Sequence, residues 1–172
     1  MNKTLTVFFG LALLALAPLA QAADGKIGVV NVAAVLAQSN AGQAAQAKME
    51  AFGKQKRAAL EAKQDKLKQE SEALKKNASI QSEAAQKQAQ QTFQEHMQSF
   101  QKALQQSQME VAQKQKELLQ PLQATLYDVI QKFAGDHGYE VILDKRVVVY
   151  SKEGRDVTDE ILKAFNAAQA GK

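Results

Sequence analysis

Catalysis in this chain would have to begin from two histidines. Imidazole is the side chain that gains and loses a proton near neutral pH, and His96 and His137 lie far apart in sequence. His96 sits among glutamines in a helix-forming stretch and reads as a solvated position, while His137, between Asp136 and Gly138, reads as a turn residue. The chain has no cysteine, so no Cys/His spacing exists for zinc. Its glycines form no GxGxxG loop that could cradle a phosphate. Ser151 has no base partner to activate it. The carboxylates are spread among lysines as ordinary helix-surface pairs. These residues point away from an enzyme, and no catalytic, cofactor-binding or metal-binding residue is expected. The chemistry left is non-covalent, carried by large apolar side chains and lysines along polar helices.

Two changes of composition divide the elements that carry those side chains. Residues 26–36 are apolar, 43 to about 120 are rich in Gln, Lys, Ala and Glu, and 122–168 are apolar again. In the first part Lys26–Val30 reads as a buried, β-branched strand. Asn31 is placed to cap a short helix over Val32–Gln38, and Ser39, Asn40 and Gly42 form a break. The middle part consists of good helix formers, interrupted at Lys76-Asn77-Ala78-Ser79, where Asn77 ends one helix and Ser79 caps the next. Two helices follow, Gln43–Lys76 outward and Ile80 to about Phe133 back. The first would be about 50 Å long at 1.5 Å per residue. That exceeds the width of a compact domain of this size, so the pair must project as an antiparallel hairpin.

The returning helix carries a stripe at coiled-coil spacing: Phe93, Met97, Phe100, Leu104, Ser107, Val111, Lys114 and Leu118. The outgoing helix offers Leu60, Leu67 and Leu74 with polar residues between, so the seam is thin. Pro121 falls inside the helical pattern and predicts a kink, placed as a hinge between arm and body. Beyond it, Leu122, Leu126, Val129, Ile130 and Phe133 form a denser core face. Tyr139–Leu143 and Val147–Tyr150, around Asp144-Lys145-Arg146, read as a β-hairpin. Thr158 caps a final helix whose apolar face is Ile161, Leu162 and Phe165.

Three short strands that are apolar on both faces need covering. Self-association through the sheet would supply it, with Ile27, Val29, Val141, Leu143 and Val148 in an inter-subunit core. The fold class is therefore α+β, a small β-sheet body for self-association bearing a long antiparallel coiled-coil hairpin arm. Its parts are a β-rich body from 23–42 and 121–172, and an arm from 43–120.

Residues 1–22 predict the compartment. Lys3 precedes an apolar run from Leu5 to Leu19, which ends in Ala20-Gln21-Ala22, the small-x-small pattern of a cleaved secretory signal. The run is shorter than the ~20 residues of a membrane span. The formal charge of +4 falls by one when Lys3 leaves. That mild excess favours acidic partners, and export argues against nucleic acid.

The order of parts resembles the Skp/OmpH family of periplasmic chaperones. A leader ending AQA precedes Lys26-Ile27-Gly28-Val29-Val30-Asn31. A charged helical hairpin follows, then Tyr139-Glu140-Val141-Ile142-Leu143-Asp144, Val147–Tyr150, and Asp156–Leu162. The resemblance implies a jellyfish-shaped homotrimer in the periplasm. Its arms would hold unfolded outer-membrane β-barrel proteins without ATP, prevent their aggregation and escort them towards assembly. Clients of that kind call for scattered apolar contacts of no fixed register, for which Met49, Phe52, Phe93, Met97, Phe100 and Met109 are the candidates. Lys75 and Lys76 belong to an outgoing arm on which basic residues outnumber acidic ones nine to five, and they would attract acidic clients. The resemblance also implies contact with anionic lipid or lipopolysaccharide. This chain departs from that pattern, reading Gln105-Gln106-Ser107-Gln108 where family arms carry arginine clusters. A structural coiled-coil spacer or adaptor of the cell envelope is the alternative.

Overall fold

The computed structural model describes residues 25–170. The expected leader, 1–22, lies outside the described residues. Strand β1 (Lys26–Val30) is followed by helices α1 (Val32–Gln38), α2 (Asn40–Asn77) and α3 (Glu83–Asp136), strand β2 (Tyr139–Asp144) and helix α4 (Thr158–Ala170). β1 and β2 pair in parallel, with Ile27 opposite Val141 and Val29 opposite Leu143. Parallel strands need a long crossover, and here the crossover is the entire helical hairpin.

Helices α2 and α3 hold 38 and 54 residues, or about 57 and 80 Å at 1.5 Å per residue. The free end of the hairpin therefore stands far from the sheet. The base of α3 returns to the body, where Leu126 and Phe133 join Val30, Val35, Val157, Ile161 and Phe165 in one core. Phe165, Ile161, Leu126 and Val35 are almost completely buried. Each contributes about 1.5–3 kcal/mol by leaving water.

Local chemistry sets the boundaries. Asn31 caps α1, its side chain accepting from Ala34 N at 3.0 Å. Ser39 is wholly buried and acts twice: its Oγ donates to Leu36 O and accepts from Gly42 N, both at 3.0 Å. The expected break at 39–42 is thus a sharp corner, and α2 starts at Asn40. Gly42 is required there because a Cβ would lie 1.6 Å from Leu36 O. At the base of α3, Gly138 takes φ +67, the left-handed conformation that glycine adopts freely after a helix.

Three sequence expectations are corrected. The tip cap is Ser82, not Ser79: Ser82 Oγ accepts from Ala85 N, and 78–82 form the turn. Thr158 is the first residue of α4 rather than its cap. Asp156 Oδ1 accepts from Thr158 N at 3.0 Å and from its hydroxyl at 2.5 Å. The Thr158 hydroxyl oxygen in turn accepts from Asn31 N at 2.9 Å, linking the starts of α1 and α4. The expected hairpin is absent from the described residues. Asp144 accepts from Arg146 N and pairs with its guanidinium, which curls Lys145–Val147 into a 3-10 turn. The other edge of β1 is taken instead by 155–157, through Val29 N to Arg155 O at 2.7 Å and Val157 N to Val29 O at 2.9 Å. Pro121 lies inside α3, which runs helical through it.

Asp156 also pairs with Lys145 Nζ at 2.9 Å. The hydrogen bond from Thr158, then that from Lys145, holds its carboxyl down at about 2. A depressed carboxylate contributes stability that is present above its unfolded value near 4 and lost as pH falls through about 2. Asp156→Ala should therefore cost about 0.5–1 kcal/mol at pH 7. Thermal unfolding of parent and variant should converge as pH is lowered from about 4 towards 2.

Candidate functional site

The arm is the part of the chain whose side chains are least committed to packing. Along its distal half Leu67 is the seam residue that is buried, at 8% exposure. Phe93, Phe100, Leu104, Leu60 and Leu74 are half-buried. The seam is cross-linked by polar pairs. Lys56 on α2 pairs with Glu110 on α3. Hydrogen bonds from Lys56 and Gln106 hold the Glu110 carboxyl below the usual carboxylate range. The Lys56 ammonium also stands 5.1 Å from the centre of the Phe52 ring.

The second pair corrects the reading of His96 as a solvated residue. Its Nδ1 lies 2.9 and 2.8 Å from the two oxygens of Glu70, across the seam. Met97, expected in the stripe, is instead 38% exposed. The inward row on α3 runs Phe93, His96, Phe100, so the stripe slips by one residue at its second position. Spacing could not reveal this, because three- and four-residue steps are equally helical. The signal that could have done so is an acid at the matching height of the facing helix.

A thin seam leaves hollows. One cavity of about 240 Å³ lies near the tip between Leu74, Ala89 and Phe93, with Glu70 on its wall. A second of about 230 Å³ is lined by Leu67, His96 and Phe100, with Lys63 and Lys66 at its mouth. A third, about 710 Å³, is an open groove with Leu67, Phe93, Met97 and Phe100 along it and Glu61, Asp65 and Lys68 beside it.

Three of the sequence-predicted contact residues, Phe93, Met97 and Phe100, thus share one groove, together with Leu67, which was read only as seam. The others lie elsewhere. Met49 and Phe52 are half-buried nearer the body, and Met109 stands 65% exposed. Lys75 and Lys76 occupy the last turn of α2, where cations complement the helix dipole. Among the described residues no group of His, Cys, Asp and Glu gathers to hold a metal ion.

On the body, Val29 is buried within its own chain, where 155–157 pairs alongside it. Ile27, Val141 and Leu143 share the same sheet face by register and remain exposed. Val148 is half-buried, and beside it Val147, Val149 and Tyr150 stand 73%, 104% and 85% exposed. The expected sheet core is thus an apolar face that is open in the single chain at Ile27, Val141 and Leu143, while Val29 on the same face is already covered by its own chain.

The family described as outer membrane protein (OmpH-like) matches residues 26–165. Among solved structures, a candidate outer membrane chaperone (OmpH-like) from Caulobacter crescentus CB15 superposes with a TM-score of 0.78 at 23% identity, over 83% of this chain and 85% of that one. That likeness is one of fold. The comparison with curated protein sequences finds no match.

Because Leu67 carries the distal seam, Leu67→Ala should loosen the arm alone. The expected cost is about 1–2 kcal/mol, below that of a closed core because the site already borders cavities. Hydrogen exchange should accelerate over 54–105 and stay unchanged in β1, β2 and α4, a separation that whole-chain destabilisation would not produce.

Proposed function

The chain belongs to the OmpH-like family, and from that premise we propose that it is an ATP-independent holdase chaperone of the periplasm. Its clients are unfolded outer-membrane β-barrel proteins, which it keeps from aggregating and escorts towards assembly. No catalysis or cofactor takes part. The observation that carries this reading is the open groove of about 710 Å³ along Leu67, Phe93, Met97 and Phe100. Client strands alternate apolar and polar side chains, and a shallow groove that mixes apolar with polar and charged residues accepts such a chain in many registers. Met97 adapts its shape to each.

The protein works as a homotrimer joined through its body. Ile27, Val141 and Leu143, exposed at 40%, 45% and 39%, form the face that the other copies cover. An apolar face of this kind is rare on a monomer. Pro121 is the hinge between arm and body, since the ring leaves Glu117 O without its helical donor. Arm lysines, Lys75 and Lys76 among them, draw in acidic clients over a distance, and any contact with anionic lipid rests on the same charges.

Dilution of a urea-unfolded β-barrel protein into buffer with this protein and no ATP should give a soluble complex. A rigid envelope spacer would leave the client to aggregate. Single alanines at Phe93, Met97 or Phe100 should each weaken binding severalfold and the triple variant much more, because each buries only part of its area at about 25 cal/mol per Å². Abolition by one alanine would mean a defined pocket instead of a distributed surface. Raised salt should slow capture, since exposed charges are screened over about 8 Å at physiological ionic strength, but not release bound client. Sedimentation should give a trimer, dissociated by Val141→Asp through an unpaired charge at the covered face. A stable folded monomer at micromolar concentration would refute the assembly.

A further inference from the structure

His96 and Glu70 meet beside two cavities of the arm. The two residues come from opposite helices, 26 positions apart in sequence. Glu70 borders both small cavities, so its side chain stands between the hollow near the tip and the hollow beside Phe100. The apolar contacts on either side of it are therefore incomplete, and the polar bridge joins the two helices beside Leu67. The charged groups facing His96 from α2 are Glu70, Lys66 and Lys63. Lys66 Nζ stands 3.9 Å from Glu70 Oε1. On α3, Ser99 and Phe100 share its cavity and Glu95 precedes it in sequence. The side chains of His96 and Glu70 are 39% and 25% exposed. Protons reach the pair freely, while screening by water is incomplete.

We infer that the His96–Glu70 pair is a pH-responsive tie across the hairpin, bracing the distal arm when the imidazole is charged and slackening it when the imidazole is neutral. Both states can offer an N–H to the carboxylate, but only the imidazolium adds charge to the bond, which roughly doubles the strength of such a contact. Imidazole is the side-chain type whose charge changes near neutral pH. The brace is therefore stronger in mildly acidic than in mildly alkaline medium. The device does not depend on what the arm holds.

The test is hydrogen exchange of the full-length assembly at pH 5.5 and 8.0, corrected for the intrinsic chemical rate. Opening of amides over 62–104 should be about two- to fivefold more frequent at pH 8.0, the range spanned by an exposed ion pair. β1, β2 and α4 should not change. His96→Gln and Glu70→Gln, each retaining a neutral hydrogen bond, should abolish the difference, and His137→Gln should preserve it. Equal opening at the two pH values in the parent protein would overturn the inference. So would a pH difference that survives in His96→Gln.

Discussion

Everything in this molecule depends on β1 and β2 bonding in parallel. The pairing closes the chain across its whole helical excursion, and contacts at both roots of the hairpin reinforce it. The Lys26 ammonium donates to His137 O at 3.2 Å and lies 4.0 Å from the centre of the Tyr139 ring. Phe133 stacks on His137 at 4.1 Å and on Tyr139 at 5.8 Å. The last turn of α3 is thus clamped to the strand that follows it, while β1 is clamped to 155–157 on its far edge. With both roots of the hairpin fixed this way, the arm needs no dense seam of its own.

That division explains two opposite textures in one chain. The body concentrates its largest apolar side chains in a small volume with no buried side-chain polar atom left unpaired among the described residues. The arm spreads similar side chains thinly and joins its helices by polar bridges exposed enough to exchange with water. Under the proposed function this thinness is required, because a surface that accepts varied chains cannot also be filled by its own side chains. The cavities beside Leu67 follow directly from lysine, glutamine and glutamate standing where a tight coiled coil would have leucine.

Much of this was legible in the sequence where a local rule decides the outcome. Asn31, the helix-forming composition of the arm, the apolar face from Leu122 to Phe133 and the turn at Gly138 each follow from short-range physics. The failures share another cause. Val147–Tyr150 has every local sign of a strand, but Asp144 accepts from Arg146 N and Lys145–Val147 curls into a 3-10 turn, so the segment does not pair with β2. Met97 and His96 are one residue apart on a helix, and which of them turns inward was settled by Glu70 on the facing helix. Groove residues such as Phe93 and Phe100 were identifiable as large apolar groups in polar surroundings. Their meeting with Leu67 depended on the relative height of two helices, which periodicity leaves open.

The parallel crossover also fixes an order of events during synthesis. β1 leaves the ribosome first, and Tyr139, its first partner in register, follows more than a hundred residues later. At ~5–20 residues per second the strand waits on the order of ten seconds with no edge to bond to. The hairpin needs only contacts between neighbouring helices and can form within that interval. Each newly made chain thus displays an unpartnered apolar strand until its last fifth emerges. A chain proposed to shelter incomplete β-structure thus first passes through that condition itself.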